Sequence, residues 1–443
     1  MTVTTMGWAL IVFIIIFLTI GIGMVALVKG SGKRYIICGK SLPFFLIGTM
    51  LMAQAVDANG SIGAAVNSYV GGFWTGFMFP FGVVMCLALT ALFYAKRLNQ
   101  MNLLTLPDFY FRRFDSRVEL IVSILTSISF VILVAGNFSG CAWILTVVFN
   151  MDYLPALVII SLLIFAYTIC GGLFSCADTD IVQMYPAFIG FVGCPIYLWL
   201  HYGWGYFAEA IPPDFINMSG LTSMENGALL NWSALVAIGV GAVLSLDFME
   251  RIFAARSPRS AVWGCWYAAA FIMVIGTACT LMGLMGLKLY PDLAQTGEFR
   301  QIMPLMAMNN VPFILGLLVM GGVIGAGAST ANGGILGVST VMGRNILQKN
   351  ILRWWRNLKG QELVVGRTEE DRRRHDKVLL LISRCMAFPV LGLALWLAYV
   401  RPDPGILMAL AFDVVLAGCF VPLTLGLHWK KSNTPGALAA VIV

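Results

Sequence analysis

Charged residues are scarce in this chain. They make up 11% of its 443 residues, whereas soluble globular proteins carry about 25%. With 59% hydrophobic residues, too little polar side chain remains to cover a soluble surface, which excludes a soluble enzyme, a nucleic-acid-binding protein and a disordered regulator. Zinc and haem sites are disfavoured as well, because there are only three histidines and no CxxC or Cys/His cluster.

Long apolar runs take the place of the missing charge. A membrane-spanning helix needs about 20 apolar residues, and such runs recur along the sequence. They lie near residues 7–28, 43–69, 72–95, 118–148, 154–175, 180–202, 231–250, 260–287, 311–343, 377–400, 405–428 and 434–443. The pattern predicts an all-α polytopic membrane protein, and it contains no nucleophile–base arrangement that would indicate an enzyme. Because the last run stops inside a helix, we expect the protein to continue beyond residue 443.

Basic residues mark one side of the membrane. Of the 28 Lys and Arg residues, only Lys288, Arg300 and Arg401 fall on one side. The others lie in or beside the loops at 29–40, 96–117, 251–259, 344–384 and 429–433. The positive-inside rule assigns this basic side to the cytoplasm and the N-terminus to the outside. The short loops favour the inner membrane of a bacterium.

The second apolar run has a polar centre, which reads Ala-Val-Asp-Ala-Asn-Gly at positions 55–60. An acid, an amide and a glycine at mid-membrane are costly unless they face a cavity. An interrupted helix also exposes carbonyl groups that can bind a cation. We therefore predict a break here, with Asp57, Asn59 and Gly60 as substrate-binding candidates. The alternative is an Asp paired with a polar neighbour in a loose but continuous helix.

The ninth run carries two neighbouring hydroxyl groups. Ala326, Ser329 and Thr330 stand at positions i, i+3 and i+4 and therefore share one helical face. Hard cations choose oxygen ligands, and sodium suits neutral ones, so this face predicts a sodium site. The alternative is a seam of small residues that packs helices together, with hydroxyls bonded back to their own helix.

A few other polar residues lie within the apolar runs. Asp247 and Glu250, at i and i+3 beside Arg251, form either a local ion pair or part of a site. Asp180 lies at the basic end of the sixth run. Substrate-binding candidates outside the second run are Asn137, Ser245 and Asp247.

These motifs resemble those of the sodium–solute symporter family. The similarity includes Asp-Ala-Asn-Gly at 57–60, Tyr-Val-Gly-Gly at 69–72 and Thr-Leu-Pro-Asp-Phe at 105–109. Its most specific part is Gly-Gly-Leu at 171–173 followed by Thr-Asp-Ile-Val-Gln at 179–183. The ninth run is similar to the Ala-x-x-Ser-Ser/Thr sodium motif of the family. The resemblance extends over nearly the whole chain.

The resemblance implies a LeuT-like 5+5 inverted repeat with one extra N-terminal helix. The extra helix would be 7–28, the repeats about 43–202 and 231–428, and a final helix would begin at 434. The first helix of each repeat would be broken at mid-membrane. We place the second break at Gly239 and Gly241, since paired Gly-interrupted segments indicate a binding site.

The resemblance also implies a set of sodium ligands. Ser329 and Thr330 would supply hydroxyl groups, and Ala326, Ala55 and Ala58 would supply carbonyl groups. An acid at the position of Asp57 is needed for sodium-coupled transport in similar bacterial proline permeases. Asp180 matches the family aspartate that helps sodium to leave toward the cytoplasm.

The substrate class follows less directly. The last four runs resemble the choline-transporter branch, but Ala55 and Ser245 stand where that branch has the tryptophans of its cation cage. Without those aromatic faces, choline is disfavoured. Buried acids favour a cationic group, whereas the positive ends of broken helices favour a carboxylate.

We therefore expect a symporter that uses sodium entry to import a small amino-acid-like or amine-bearing solute across the lipid bilayer. The alternatives are a membrane sensor domain of a signalling receptor with the same fold, and a proton-coupled or uncoupled carrier.

Overall fold

The computed structural model describes residues 5–23, 32–351 and 369–442. Helices account for most of these residues, and the only bridge between extended segments in the described ranges joins Leu42 to Ala255. Seven described helices are long and apolar enough to cross a membrane, and a bent pair makes an eighth candidate. The prediction of an all-α polytopic membrane protein is confirmed.

The α-helices are numbered here in chain order. They are α1 Thr5–Gly23, α2 Gly32–Ile37, α3 Phe44–Ala55, α4 Ala58–Leu89, α5 Ala95–Gln100, α6 Pro107–Arg113, α7 Ser116–Phe149, α8 Tyr153–Gly171, α9 Leu173–Tyr202, α10 Trp204–Ala208, α11 Ser219–Thr222, α12 Ala228–Gly241, α13 Leu246–Ala254, α14 Pro258–Leu289, α15 Leu293–Thr296, α16 Ile302–Asn309, α17 Phe313–Thr340, α18 Glu369–Val400, α19 Pro404–His428 and α20 Thr434–Ile442.

The break predicted in the second apolar run is present between α3 and α4. Helix α3 ends at Ala55, and α4 begins at Ala58 after Val56 and Asp57. A second discontinuity follows at Gly72, whose φ of 86° is unfavourable for a residue with a side chain. A Cβ atom there would also lie 2.7 Å from the Cα atom of Phe215. Gly72 therefore separates the second run from the third.

The second break is not at the predicted position. Helix α12 continues through Gly239 and Gly241, and a short 3₁₀ turn carries the chain to Ser245, where the helix bends by 44° into α13. The two glycines serve close packing instead. A Cβ atom at Gly241 would lie 2.6 Å from the carbonyl oxygen of Phe412, and one at Gly239 would lie 2.0 Å from the methyl carbon of Met85.

The basic end of α17 also differs from the prediction. We expected a basic loop to begin at residue 344, but the chain continues as a π-helix over Val341–Ile351. The i→i+5 hydrogen bonds of a π-helix place residues five positions apart on nearly the same face. Arg344 and Lys349 consequently point toward the same neighbours. Residues 352–368 of the predicted loop lie outside the described residues.

Glycine also sets the distance between the long helices. Helix α14 crosses α4 at Gly283, where a Cβ atom would lie 2.1 Å from the carbonyl oxygen of Ala65. Membrane helices pack through such small residues because lipid supplies no hydrophobic drive for their association. The close crossing fixes α14 against α4, which begins at the first break.

Candidate sodium and substrate site

Asp57 caps the helix that follows the first break. Its backbone is extended, and its Oδ1 atom accepts a hydrogen bond from the backbone N–H of Gly60 at 2.7 Å. A Cβ atom at Gly60 would lie 2.7 Å from the carbonyl oxygen of Ala55, so the tight turn leaves no room for a side chain there. The capped break is held at a fixed geometry deep in the protein, where Asp57 is 1% exposed.

Two asparagines complete the surroundings of this carboxylate. Asp57 Oδ2 accepts hydrogen bonds from Asn137 Nδ2 at 2.7 Å and from Asn59 Nδ2 at 3.2 Å. Both amide groups also donate to the carbonyl oxygen of Leu133 on α7. Sequence reasoning named Asp57, Asn59 and Asn137 separately, and the structure brings all three together. The side-chain oxygens of both asparagines are buried and accept no hydrogen bond from described residues.

Helix α7 approaches the break through two glycines. A Cβ atom at Gly136 would lie 2.1 Å from Asn59 Oδ1, and one at Gly140 would lie 2.6 Å from the Cβ atom of Ala58. Substitution at either position would push α7 away from the first turn of α4. The polar centre of the second run is therefore closed on the α7 side by close packing.

The hydroxyl groups of α17 face the end of α3, on the other side of the same break. Ser329 Oγ accepts a hydrogen bond from Gln54 Nε2 at 3.0 Å. Thr330 Oγ1 donates to the carbonyl oxygen of Ala326, at 3.1 Å, and lies 3.4 Å from the carbonyl oxygens of Ala53 and Gln54. Ala326, Ser329 and Thr330 thus share one face, as their spacing predicts.

The oxygen spacing around Thr330 suits a cation. Calcium, which is close to sodium in size, binds oxygen at about 2.3–2.6 Å, so ligands at right angles around it lie about 3.3–3.7 Å apart. The 3.4 Å distances fall within this range. The carbonyl groups that Thr330 contacts belong to Ala53 and Gln54, whereas the family resemblance pointed to Ala55 and Ala58.

The second break brings Ser245 and Asp247 together. Ser245 stands at the bend between α12 and α13, and its hydroxyl group donates to Asp247 Oδ1. The same carboxylate oxygen accepts a hydrogen bond from the backbone N–H of Phe248 at 2.8 Å. Asp247 is 1% exposed and interacts electrostatically with Asp57 across the protein interior. Each break therefore holds one buried carboxyl group, and the two carboxyl groups are close enough to interact electrostatically.

A buried arginine lies on the basic side of these residues. Arg251 is fully buried, and its Nη1 atom donates to the carbonyl oxygen of Asp247 at 2.9 Å and lies 3.9 Å from Glu250 Oε2. The guanidinium covers Gly333, where a Cβ atom would lie 2.8 Å from Nη1 and 3.0 Å from Nη2. The same Cβ atom at Gly333 would lie 3.0 Å from Gln54 Oε1.

Gln54 and Arg251 were not found by sequence reasoning as parts of the site. The amide nitrogen of Gln54 donates a hydrogen bond to Ser329 Oγ, and its side-chain oxygen lies beside Gly333. Arg251 interacts electrostatically with Asp180, Asp247 and Glu250. Asp180 is itself fully buried near the basic end of α9. A polar path therefore leads from the hydroxyls of α17 through Gln54 toward Arg251, which interacts electrostatically with Asp180.

A second polar cluster holds the basic end of the fold together. Asp108 on α6 pairs with Arg344 and, at 2.7 Å, with Lys349. Lys349 also pairs with Glu119 on α7 at 2.7 Å, and Asn345 donates to the same Glu119 oxygen at 2.6 Å. Burial opposes ionisation of Asp108, but Arg344 and Lys349 outweigh it and hold the pKa of that carboxyl well below its usual range. The pairs thus persist at physiological pH and join α6 and α7 to the end of α17.

Known proteins share both the sequence pattern and the fold. The family model described as "Sodium:solute symporter family" matches residues 35–443. The human high affinity choline transporter 1 is 24% identical, over 98% of this chain and 74% of its own length. The high-affinity proline transporter PutP of Bacillus subtilis is 24% identical, over 92% of this chain and 84% of its own. A solved Na+-coupled sialic acid symporter has a TM-score of 0.70 at 15% identity and covers all of this chain and 91% of its own.

The fold is that of the LeuT-like transporters, and the chain belongs to the sodium:solute symporter family. It is a sodium-coupled symporter of small solutes and a multi-pass membrane protein. The resemblance noted in the sequence motifs is thereby confirmed. Because the family and its relatives are transporters, the expectation that the protein is not an enzyme holds.

Proposed function

We propose that the protein imports an amino-acid-like zwitterion or a related amine into the cytoplasm together with sodium. The observation that carries this proposal is the pair of helix breaks, each of which holds a buried carboxyl group, Asp57 at the first and Asp247 at the second. A buried carboxylate favours a cationic partner, and the N-terminal ends of half-helices favour a carboxylate. A zwitterion satisfies both, whereas a sugar satisfies neither.

Two small residues argue against choline, although choline transporters are among the relatives. Ala55 ends α3 at the first break, and Ser245 stands at the second. Recognition of a quaternary ammonium group depends on aromatic faces around the charge, and neither residue offers one. We propose that Asp57, Asn59, Gly60, Asn137, Ser245 and Asp247 line the substrate side of the breaks.

Sodium would bind between the end of α3 and the hydroxyl face of α17. In this proposal Ser329, Thr330 and the carbonyl of Ala326 are ligands on one side. The carbonyls near the first break, among which Ala55 and Ala58 remain candidates, complete the other side. A cation there links two helices and so favours the state in which the substrate site is ordered, and the substrate favours the same state in return.

Arg251 is placed to form an electrostatic barrier to sodium on the basic side of the proposed sodium site. The positive guanidinium lies one turn of α17 beyond Thr330 and fills the space above Gly333, so it opposes the escape of sodium toward the basic side. We propose that the basic side faces the cytoplasm, that the N-terminus is outside, and that the membrane is a bacterial inner membrane. Residues 43–202 and 231–428 would be the two repeats that rock against each other.

The substrate class can be tested by ligand-dependent thermal stability. Purified protein would be screened with proline, other amino acids, choline, acetate and glucose, each in sodium chloride and in potassium chloride. We expect an amino acid or amine to raise the melting temperature, and to do so more in sodium, because a ligand that binds only the folded state stabilises it. Stabilisation by glucose or acetate alone would show that the buried acids do not define the substrate.

Asp180 should act on sodium release more than on sodium binding. It is fully buried and interacts electrostatically with Arg251, and the family resemblance assigns it to sodium release, so we expect Asp180→Asn to slow transport while the sodium dependence of thermal stability changes little. The measurement is the ratio of uptake rate to sodium-induced stabilisation in the same preparation. If uptake and sodium-induced stabilisation are both lost, to the extent expected for Ser329→Ala with Thr330→Ala, Asp180 is a primary sodium ligand.

A further inference from the structure

A surface cavity of about 410 Å³ lies apart from the transport path, at the basic end of the protein. It opens between the first residue of α3 and the first turns of α14. Its lining consists of Phe44, Arg256, Ser257, Arg259, Ser260 and Trp263. This composition is mixed, because two guanidinium groups and two hydroxyl groups share the cavity with two aromatic rings.

Both arginines of the cavity are exposed and available. No ion pair or side-chain hydrogen bond to another residue in the described ranges involves Arg256 or Arg259. The hydroxyl groups of Ser257 and Ser260, by contrast, bond to one another at 2.9 Å, and Ser257 caps α14. Within the described part of the chain, the cavity therefore presents two positive charges without an ion-pair partner, beside two hydroxyl groups that are hydrogen-bonded to each other.

The aromatic residues extend the cavity along the membrane surface. Trp263 is 58% exposed and Phe44 is 45% exposed. Trp263 stands five residues into α14, which places it about 7–8 Å further toward the membrane centre than the start of the helix. Exposed tryptophan at this depth is typical of the boundary between headgroups and acyl chains. The cavity thus has a cationic end in the headgroup region and an apolar end directed toward the hydrocarbon.

We propose that this cavity binds an anionic phospholipid of the adjacent leaflet. The phosphate group would lie between Arg256 and Arg259, and an acyl chain would lie over Trp263 and Phe44. Basic pockets between helices on the cytoplasmic side are sites where anionic lipid headgroups bind. A soluble phosphate would use the two arginines but would leave the aromatic rim without a partner.

Binding at this cavity would act on the transport elements through their ends. Next to it, Leu42 donates to the carbonyl of Ala254 at 3.1 Å and accepts from the backbone N–H of Arg256 at 2.9 Å. This backbone contact joins the segment before α3 to the segment after α13. Helices α3 and α13 are the halves of the two broken helices that lie on the basic side. A lipid that spans Phe44 and the arginines strengthens the same connection, so anionic lipid should alter the transport rate as well as stability.

The test compares two pairs of charge removals on the same face of the membrane. The variant is Arg256→Gln with Arg259→Gln. The matched control is Lys430→Gln with Lys431→Gln, which removes the same charge from the exposed turn between α19 and α20. Each protein would be titrated with phosphatidylglycerol in mixed micelles, with phosphatidylcholine as the neutral lipid and glycerol phosphate as the free headgroup, and its melting temperature measured.

We expect phosphatidylglycerol to stabilise the unmodified protein and the lysine control, and the arginine variant to bind it about 30-fold more weakly, since each basic residue near an anionic lipid contributes about 1 kcal/mol. The variant's sodium-induced stabilisation serves as the check on its fold. Equal weakening in both variants would show general charge attraction and overturn the site. Stabilisation by glycerol phosphate equal to that by phosphatidylglycerol would overturn the assignment to a lipid, and so would the absence of any lipid effect.

Discussion

The double substitution Ser329→Ala with Thr330→Ala is expected to abolish the stabilisation of the protein by sodium and to stop sodium-driven uptake. The two hydroxyl groups face the end of α3, with Thr330 Oγ1 3.4 Å from two of its carbonyl oxygens. A polar group that contacts a charge contributes about 1.5–3 kcal/mol. Loss of both hydroxyls should weaken the apparent sodium affinity by at least about 100-fold.

The measurement is the melting temperature in sodium chloride relative to equal potassium chloride. Ser339→Ala is the matched control, because Ser339 is a buried hydroxyl on the same helix that bonds only back to the carbonyl of Leu336 among described residues. We expect the control to keep the full difference between the two salts. If the double variant keeps it as well, the sodium site lies elsewhere.

The second large effect is expected from Asp57→Asn. An asparagine can still accept the hydrogen bond from Gly60, but its amide group would face the amide donors of Asn59 and Asn137. Each buried donor left without a partner costs about 1–3 kcal/mol. We expect uptake to fall by about 30- to 150-fold, because 2–3 kcal/mol corresponds to that range, and the melting temperature to fall with it.

Asp152→Asn supplies the control for this prediction. Asp152 precedes α8 as Asp57 precedes α4, but it is exposed and its side chain makes no capping hydrogen bond. Its replacement should leave both uptake and stability unchanged. If Asp57→Asn transports at the rate of this control, the carboxylate has no part in coupling and its role is confined to the helix cap.

The elements that sequence analysis located correctly are those in which a polar pattern interrupts an apolar run. An acid, an amide and a glycine at positions 57, 59 and 60 are costly inside a continuous membrane-spanning helix. The structure breaks the helix next to them. Ser329 and Thr330 are adjacent to no bulky residue, and helical periodicity alone places them on the face of Ala326. Periodicity and the cost of buried polar groups suffice for such features because both act within one segment.

The features that sequence analysis missed depend on contacts between distant segments. Gly239 and Gly241 look like a break in isolation, but Met85 and Phe412 fill the space above them and the helix continues to Ser245. Gln54 looks like an isolated polar residue one position before the break, and only the position of α17 makes it a partner of Ser329. The π-helix at 341–351 is stabilised by ion pairs to α6 and α7, which local sequence does not reveal.

Sodium coupling is tested most directly by solute accumulation in proteoliposomes. Labelled proline, other amino acids, choline, acetate and glucose would be supplied outside vesicles that carry either an inward sodium gradient, an equal potassium gradient or a proton gradient. We predict that at least one amino acid or amine accumulates above its equilibrium level with the sodium gradient and not with potassium. Accumulation driven by the proton gradient alone, with no dependence on sodium, would contradict the assignment.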